Sequence, residues 1–227
     1  MFQRPQFTSW PLFIQRLVHL NVGLVLYGLS IALMVWGSIG LGPWDVFHQG
    51  LSLVTPLSFG QGMILAGFVV LLFATFATRV KIGVGTVLNM VLIGVWSDFF
   101  LGLPAAPPEP GFVVGTLIFL AGIVLGGLAT GLYITAGLGA GPRDGFVLGL
   151  SRLTGLSVRL CRTLLEITVL VTGWLMGGSV GLGTLLFAVA IGPLMQFFLR
   201  LFRPLEQRYD DAAARKRAGL AQPSRTS

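Results

Sequence analysis

Eight polar or charged side chains stand where an otherwise apolar chain has little use for them: Asp45, Asp144, His48, Glu166, Arg162, Asn89, Asp98 and Gln196. In hydrocarbon surroundings each must find a partner, so carboxylates, an imidazole and amides of this kind hold a cation or proton, relay protons, or hydrogen-bond a polar solute. Asp45 and Asp144 occupy the same place in two copies of one phrase, GLGPWDVFHQGLS over 40–52 and GAGPRDGFVLGLS over 139–151. Pro at the first position of a helix has no N–H to leave unsatisfied. Asp in the first turn complements the positive helix end and accepts orphan N–H groups. Gly42, Pro43, Gly141 and Pro142 therefore read as breaks that start short helices over 44–52 and 143–153. Such helices are about 15 Å long, half of a bilayer core. With a carboxylate already at each positive end, a cation, a proton or a polar solute suits the breaks better than an anion.

The remaining polar residues have structural readings beside the functional one. Glu166 follows Arg162 by four residues, the spacing of an ion pair on one helix face, with a proton-carrying Glu166 as the alternative. Asp98 and Gln196 each precede a Phe pair, so symmetry would bring them near one another, or each reaches an interface. Asn89 and Gln61 read as hydrogen-bonding between helices, and His48 and His19 as interfacial. Thr86 and Thr184, next to Gly85 and Gly183 in two Gly-x-Gly-Thr breaks, read as N-caps of the helices that follow. Cys161 reads as a small buried side chain, and one cysteine excludes an intramolecular disulfide framework.

The elements that carry these residues belong in a membrane. Of 227 residues, 54% are hydrophobic and 10% charged, too few to cover a soluble surface. Six stretches are long enough to span about 30 Å of hydrocarbon: 17–37, 60–78, 84–101, 111–136, 158–176 and 182–201. Residues 1–16 form an N-terminal segment, the Pro-rich 102–110 an external linker, and 203–227 a basic tail expected to be disordered. The net charge of +7 gathers in that tail and at the ends of apolar segments, which suits anionic headgroups and not nucleic acid.

Residues 17–101 and 111–202 are copies of one unit. Residues 22–52 match 121–151 at 14 of 31 positions, and after a one-residue slip 83–100 matches 181–198, GVGTVLN against GLGTLLF, up to the Phe pairs. Three spans per unit place all 15 Lys and Arg on one side and leave Asp45, Asp98 and Glu109 on the other, whereas four would carry Arg79 and Lys81 outside. An odd number of spans turns the second unit upside down. The expected fold is an all-α membrane protein of six transmembrane helices in a 3+3 inverted-topology repeat, each half with a short Gly-Pro-x-Asp broken or re-entrant helix. Trp44 then belongs near the outer interface and Arg143 near anionic lipid at the inner one.

The paired Gly-Pro-x-Asp phrases, with GVGTVLN and GLGTLLF, resemble the YczE family of bacterial membrane proteins, itself similar to the YitT-type group, over about residues 15–201. The one-sided charges place both termini in the cytoplasm, and the resemblance implies an integral protein of the bacterial inner (plasma) membrane and transfers no catalytic or ligand residue. Three function classes stay open. A small-solute permease or secondary transporter, with its site between the repeats, accounts for the repeat, the broken helices and the acids together. A non-transporting accessory or regulatory protein acting on a partner needs only the fold and the tail. A membrane enzyme comes third, because the chain has no H-E-x-x-H, no G-x-S-x-G and no two-histidine metal site. No metal or cofactor is expected; the expected partners are the bilayer, a small polar or cationic solute and a second copy of the chain.

Overall fold

The computed structural model describes residues 10–78, 83–108, 110–139 and 141–221, without the side chains of 77, 78, 142, 144 and 217–221. Among them the regular elements are helices: α1 Trp10–Gly37, α2 Pro43–Val54, α3 Phe59–Thr78, α4 Val84–Leu101, α5 Phe112–Thr135, α6 Pro142–Thr154, α7 Val158–Leu175 and α8 Leu182–Ala221. Each half thus runs long, short, long, long.

α1, α3, α4, α5 and α8 are long and apolar enough to cross a membrane. That is five of the six predicted spans. α7 has 18 residues, but Arg159, Arg162 and Glu166 in its first half keep it below the others in apolarity. The tail also departs from expectation, because α8 continues through Leu201 as one helix of 40 residues to Ala221. Its extension docks on the start of α1, where Arg16 pairs with Asp210 at 2.8 Å and lies over the Tyr209 ring, which also faces His19.

α1 and α5 form the central crossing, and it is built on small residues because lipid-facing helices associate by close backbone packing. A Cβ on Gly23 would lie 2.7 Å from the Tyr133 nitrogen, and one on Gly122 3.0 Å from the Ser30 carbonyl. Ser30 also donates its hydroxyl to the Gly122 carbonyl at 2.7 Å. Leu24, Ile31, Phe119 and Ile123 fill the seam around these contacts.

Several of the other contacts recur in equivalent pairs. α1 packs on α4 as α5 does on α8, and α2 packs on α7 as α6 does on α3. The breaks interlock across the halves in the same way: the Gly183 N–H donates to the Ile39 carbonyl at 2.8 Å, and the Gly85 N–H to the Leu138 carbonyl at 2.9 Å. Both interlocked loops turn through positive φ, at Ser38 (53°) and Gly40 (112°) and at their counterparts Gly137 (67°) and Gly139 (129°). Thr86 and Thr184 are the third residues of α4 and α8 and not their N-caps, a place Gly83 holds in α4. The Thr184 hydroxyl oxygen reaches back to accept from the Gly181 N–H at 3.2 Å, one arm of a capping box.

Candidate functional site

A cavity of about 720 Å³ lies between the halves, and the starts of α2 and α6 converge on it. The extended Gly42 and Gly141 precede Pro43 and Pro142 at the first position of each short helix, and neither helix has a side-chain cap.

Six of the eight candidate side chains line this one space: Asp45, His48, Asn89, Arg162, Glu166 and Gln196. Their sequence separations, up to 151 residues, show that the fold gathers them and not local spacing. Asp45 sits in the first turn of α2 and is buried, but its carboxylate accepts no hydrogen bond from that turn; His48 Nδ1 lies 3.8 Å away, too far for a normal bond. His48 is 1% exposed and not interfacial, packed among the rings of Trp44, Phe47 and Phe59. Its Nδ1 and the buried Trp44 Nε1 have no hydrogen-bond partner, an expensive state for polar atoms unless something in the cavity meets them. Arg162 and Glu166 both face the cavity, yet the expected ion pair between them is absent: no oxygen–nitrogen contact within 4.0 Å joins them. Glu166 instead feels the charges of Arg143, Arg162 and Asp45 together, with the Trp44 indole nearby.

Asp98 is elsewhere. Its carboxylate accepts from the Ser58 hydroxyl and, at 2.7 Å, from the Gly60 N–H, so it ties the end of α4 to the start of α3 and does not meet Gln196. Gln61 is likewise local and not interhelical: it and Ser58 exchange hydrogen bonds at 3.0 and 3.1 Å as a capping box. Asp144 lies in the first turn of α6, and its side chain is outside the described residues. Of the structural residues, Gly42, Pro43 and Gly141 line the cavity. Gly85, Thr86, Gly183 and Thr184 stand at the interlocked loops, where a Cβ on Gly183 would press on the Gly40 carbonyl at 2.8 Å and one on Gly139 on the Thr86 hydroxyl at 2.9 Å.

Arg143 and Trp44 are expected at opposite membrane interfaces. The structure brings them together: the Arg143 guanidinium lies over the Trp44 ring, 4.2 Å from its centroid, against the cavity. They hold equivalent positions of the two Gly-Pro-x-Asp phrases, and a desolvated cation–π contact stabilises by about 2 kcal/mol. A symmetric repeat brings equivalent positions near its axis together, and that signal would have located the pair.

Residues 14–200 match the model of a family described as "Family of unknown function (DUF6198)". The chain is 39% identical to YczE, an uncharacterized membrane protein of Bacillus subtilis (strain 168), over 179 residues that cover 78% of this chain and 82% of the relative. It is 39% identical to an uncharacterized protein of Haemophilus influenzae (strain ATCC 51907 / DSM 11121 / KW20 / Rd) over 194 residues, 82% of this chain and 86% of that one. A more distant relative is the uncharacterized protein YyaS of Bacillus subtilis (strain 168), 26% identical over 193 residues, 85% of this chain and 94% of that one. No solved structure matches significantly. With five apolar membrane-length helices and these relatives, the chain is an all-helical, multi-pass membrane protein that belongs to the DUF6198 family.

Proposed function

We propose that this protein is a small-solute permease or secondary transporter of the bacterial inner membrane, built as an inverted repeat with its site between the halves and both termini cytoplasmic. One observation carries the reading: the uncapped starts of two half-length helices, one from each half, converge on a cavity lined by charged and amide side chains. At 12 and 13 residues, α2 and α6 are about 18–20 Å long and cannot cross a bilayer. Helices broken in this way, with free ends at the midplane, form the substrate sites of inverted-repeat transporters. The equivalent pairs of contacts and the interlocked breaks support the repeat. α7 supplies the sixth span on this reading, with Arg162 and Glu166 lining the cavity. Arg79 and Lys81, on which the three-span count turns, lie outside the described residues.

Thiol labelling in intact cells tests the topology: in a Cys161→Ala background, cysteines at Ala106 and Ser179 react with an impermeant reagent from outside and one at Ala214 does not. The transport reading is tested by thermal-shift screening of purified protein against metabolite pools at several pH values, then counterflow of each hit in proteoliposomes. A hit that stabilises the wild type and exchanges across the bilayer supports it; no hit and no counterflow overturns it. The helical tail favours the accessory reading as the second choice, since a docked helix with exposed charges offers a partner a surface. Deleting residues 204–227 separates the two, because it leaves transport intact and removes a partner's contact.

A further inference from the structure

The cavity is charged in both senses without being paired. Asp45 and Glu166 supply two carboxylates, and Arg143 and Arg162 two guanidiniums. Among the described residues, no carboxylate oxygen of this set lies within 4.0 Å of a guanidinium nitrogen. Asp45 is buried and Arg143 and Glu166 are half-buried, and charges withdrawn from water in this way are normally paired directly. Here opposite charges ring a space and leave the middle open.

Resting on the permease reading above, we infer that the cavity binds a zwitterion: a ligand with an ammonium group and a carboxylate or phosphate a few ångströms apart, and an apolar remainder. A simple cation would satisfy Asp45 and Glu166 and leave Arg143 and Arg162 facing an additional positive charge. An anion would do the reverse. A ligand with both charges answers all four residues and adds no net charge to the membrane interior.

The arrangement has the right scale. Arg162 and Glu166 are one turn apart on α7, which puts their Cβ atoms about 5–6 Å from each other. One small ligand can therefore reach both side chains. Arg143 is held by the Trp44 ring and so presents its fork at a defined place. Trp44 Nε1, buried and unpartnered, is a further donor for an anionic oxygen, and the unpartnered His48 Nδ1 a further polar contact. Met63, Met90, Ile93, Phe187 and Ile191 line the rest and suit an apolar side chain.

Two sources present this chemistry: a free zwitterionic solute, or the headgroup of a zwitterionic phospholipid. Full-length protein in detergent is melted with L-leucine, with N-acetyl-L-leucine, which keeps only the negative charge, and with L-leucine methyl ester, which keeps only the positive one. The headgroup arm uses glycerophosphoethanolamine in solution, and nanodiscs of phosphatidylethanolamine against phosphatidylglycerol with the same acyl chains. The inference requires that at least one zwitterionic probe raises Tm and its singly charged analogues do not. Stabilisation by leucine alone identifies a free solute, and stabilisation by glycerophosphoethanolamine and phosphatidylethanolamine identifies a headgroup. Arg162→Gln and Glu166→Gln should each raise the half-saturating concentration about tenfold or more, the loss of one charge-assisted hydrogen bond. The analogue series on the wild type needs no variant to fold. Equal stabilisation by a singly charged analogue, or a screening hit of one charge only, overturns the zwitterion and leaves the permease standing. No shift with any probe or metabolite overturns both.

Discussion

The seam between α3 and α4 is closed, and the equivalent seam between α7 and α8 is open. α3 and α4 pack on each other, whereas α7 and α8 make at most grazing contact. The helices start alike: Ser58 accepts from the Gln61 N–H and Ser157 from the Leu160 N–H. Counting from those serines, Gly60 and Gly67 in α3 correspond to Arg159 and Glu166 in α7. In the first half Gly60 sits against Gly94, Gly67 against the Met90 side chain, and Asp98 bonds Ser58 and Gly60. In the second half Gly192, the counterpart of Gly94, has nothing within 4 Å, and Gln196, the counterpart of Asp98, faces the cavity. α8 also carries Pro193 where α4 has Val95, which removes an N–H from the helix ladder at that place. The two seams therefore differ at two glycines that are Arg159 and Glu166 in the second half and at a valine that is Pro193 there, and Glu166 lines the cavity. On the proposed reading, the open seam is where the cavity communicates with its surroundings.

The largest contrast expected is in thiol reactivity. In a Cys161→Ala background, Met195→Cys on the open seam should react with a maleimide on the order of 10²-fold faster than Ser97→Cys, its counterpart, because Ser97 is 0% exposed and is reached only by local opening. Equal rates would mean that the two seams are alike in solution.

Alanine at the paired glycines should split in stability. A Cβ on Gly94 lies 2.5 Å from the Gly60 carbonyl, so Gly94→Ala should destabilise by about 2–3 kcal/mol. A Cβ on Gly192 meets nothing outside its chain neighbours but stands before Pro193, whose ring disfavours a Cβ-bearing helical residue, so Gly192→Ala should cost at most about 1 kcal/mol. Thermal melts of the two variants in one detergent decide it, and a costly Gly192→Ala would show that the α7–α8 seam closes in the native ensemble.

Asp98→Ala strands the Ser58 hydroxyl and the Gly60 N–H and should cost about 1–3 kcal/mol, while Gln196→Ala should leave the unliganded melt within about 0.5 kcal/mol of wild type. The smallest effect sharpens what the halves share. Ser38 holds a φ of 53° where its counterpart is Gly137, and Ser38→Gly should relieve left-handed strain and stabilise by up to about 1 kcal/mol, a rise of about 2–4 °C in Tm.

Much of this was legible in the residues. The apolar segments, the two Gly-Pro breaks and the repeat were all marked by composition or spacing, and the short helices begin at the prolines as the first-position rule requires. The errors lie where a contact partner comes from far along the chain. His48 reads as interfacial, but Phe59 of α3 closes over it together with Trp44 and Phe47 of its own helix. Arg162 and Glu166 have the spacing of a pair, yet no oxygen–nitrogen contact within 4.0 Å joins them, and Glu166 also feels Arg143 of α6. The tail looks disordered from its charges, and its docking depends on Arg16, 194 residues away from Asp210.

By itself the sequence determined the membrane setting, the positions of the helices and the twofold repetition, because hydrophobic length, proline and glycine act within a few residues of where they stand. Only the tertiary structure decided which equivalent positions meet and which part. Trp44 and Arg143 stack because each half brings its break to the same place, while α3 and α4 pack together and their counterparts α7 and α8 stand apart. Such outcomes depend on pairings about a hundred residues apart, and no local pattern encodes the shape of the surface on the other side.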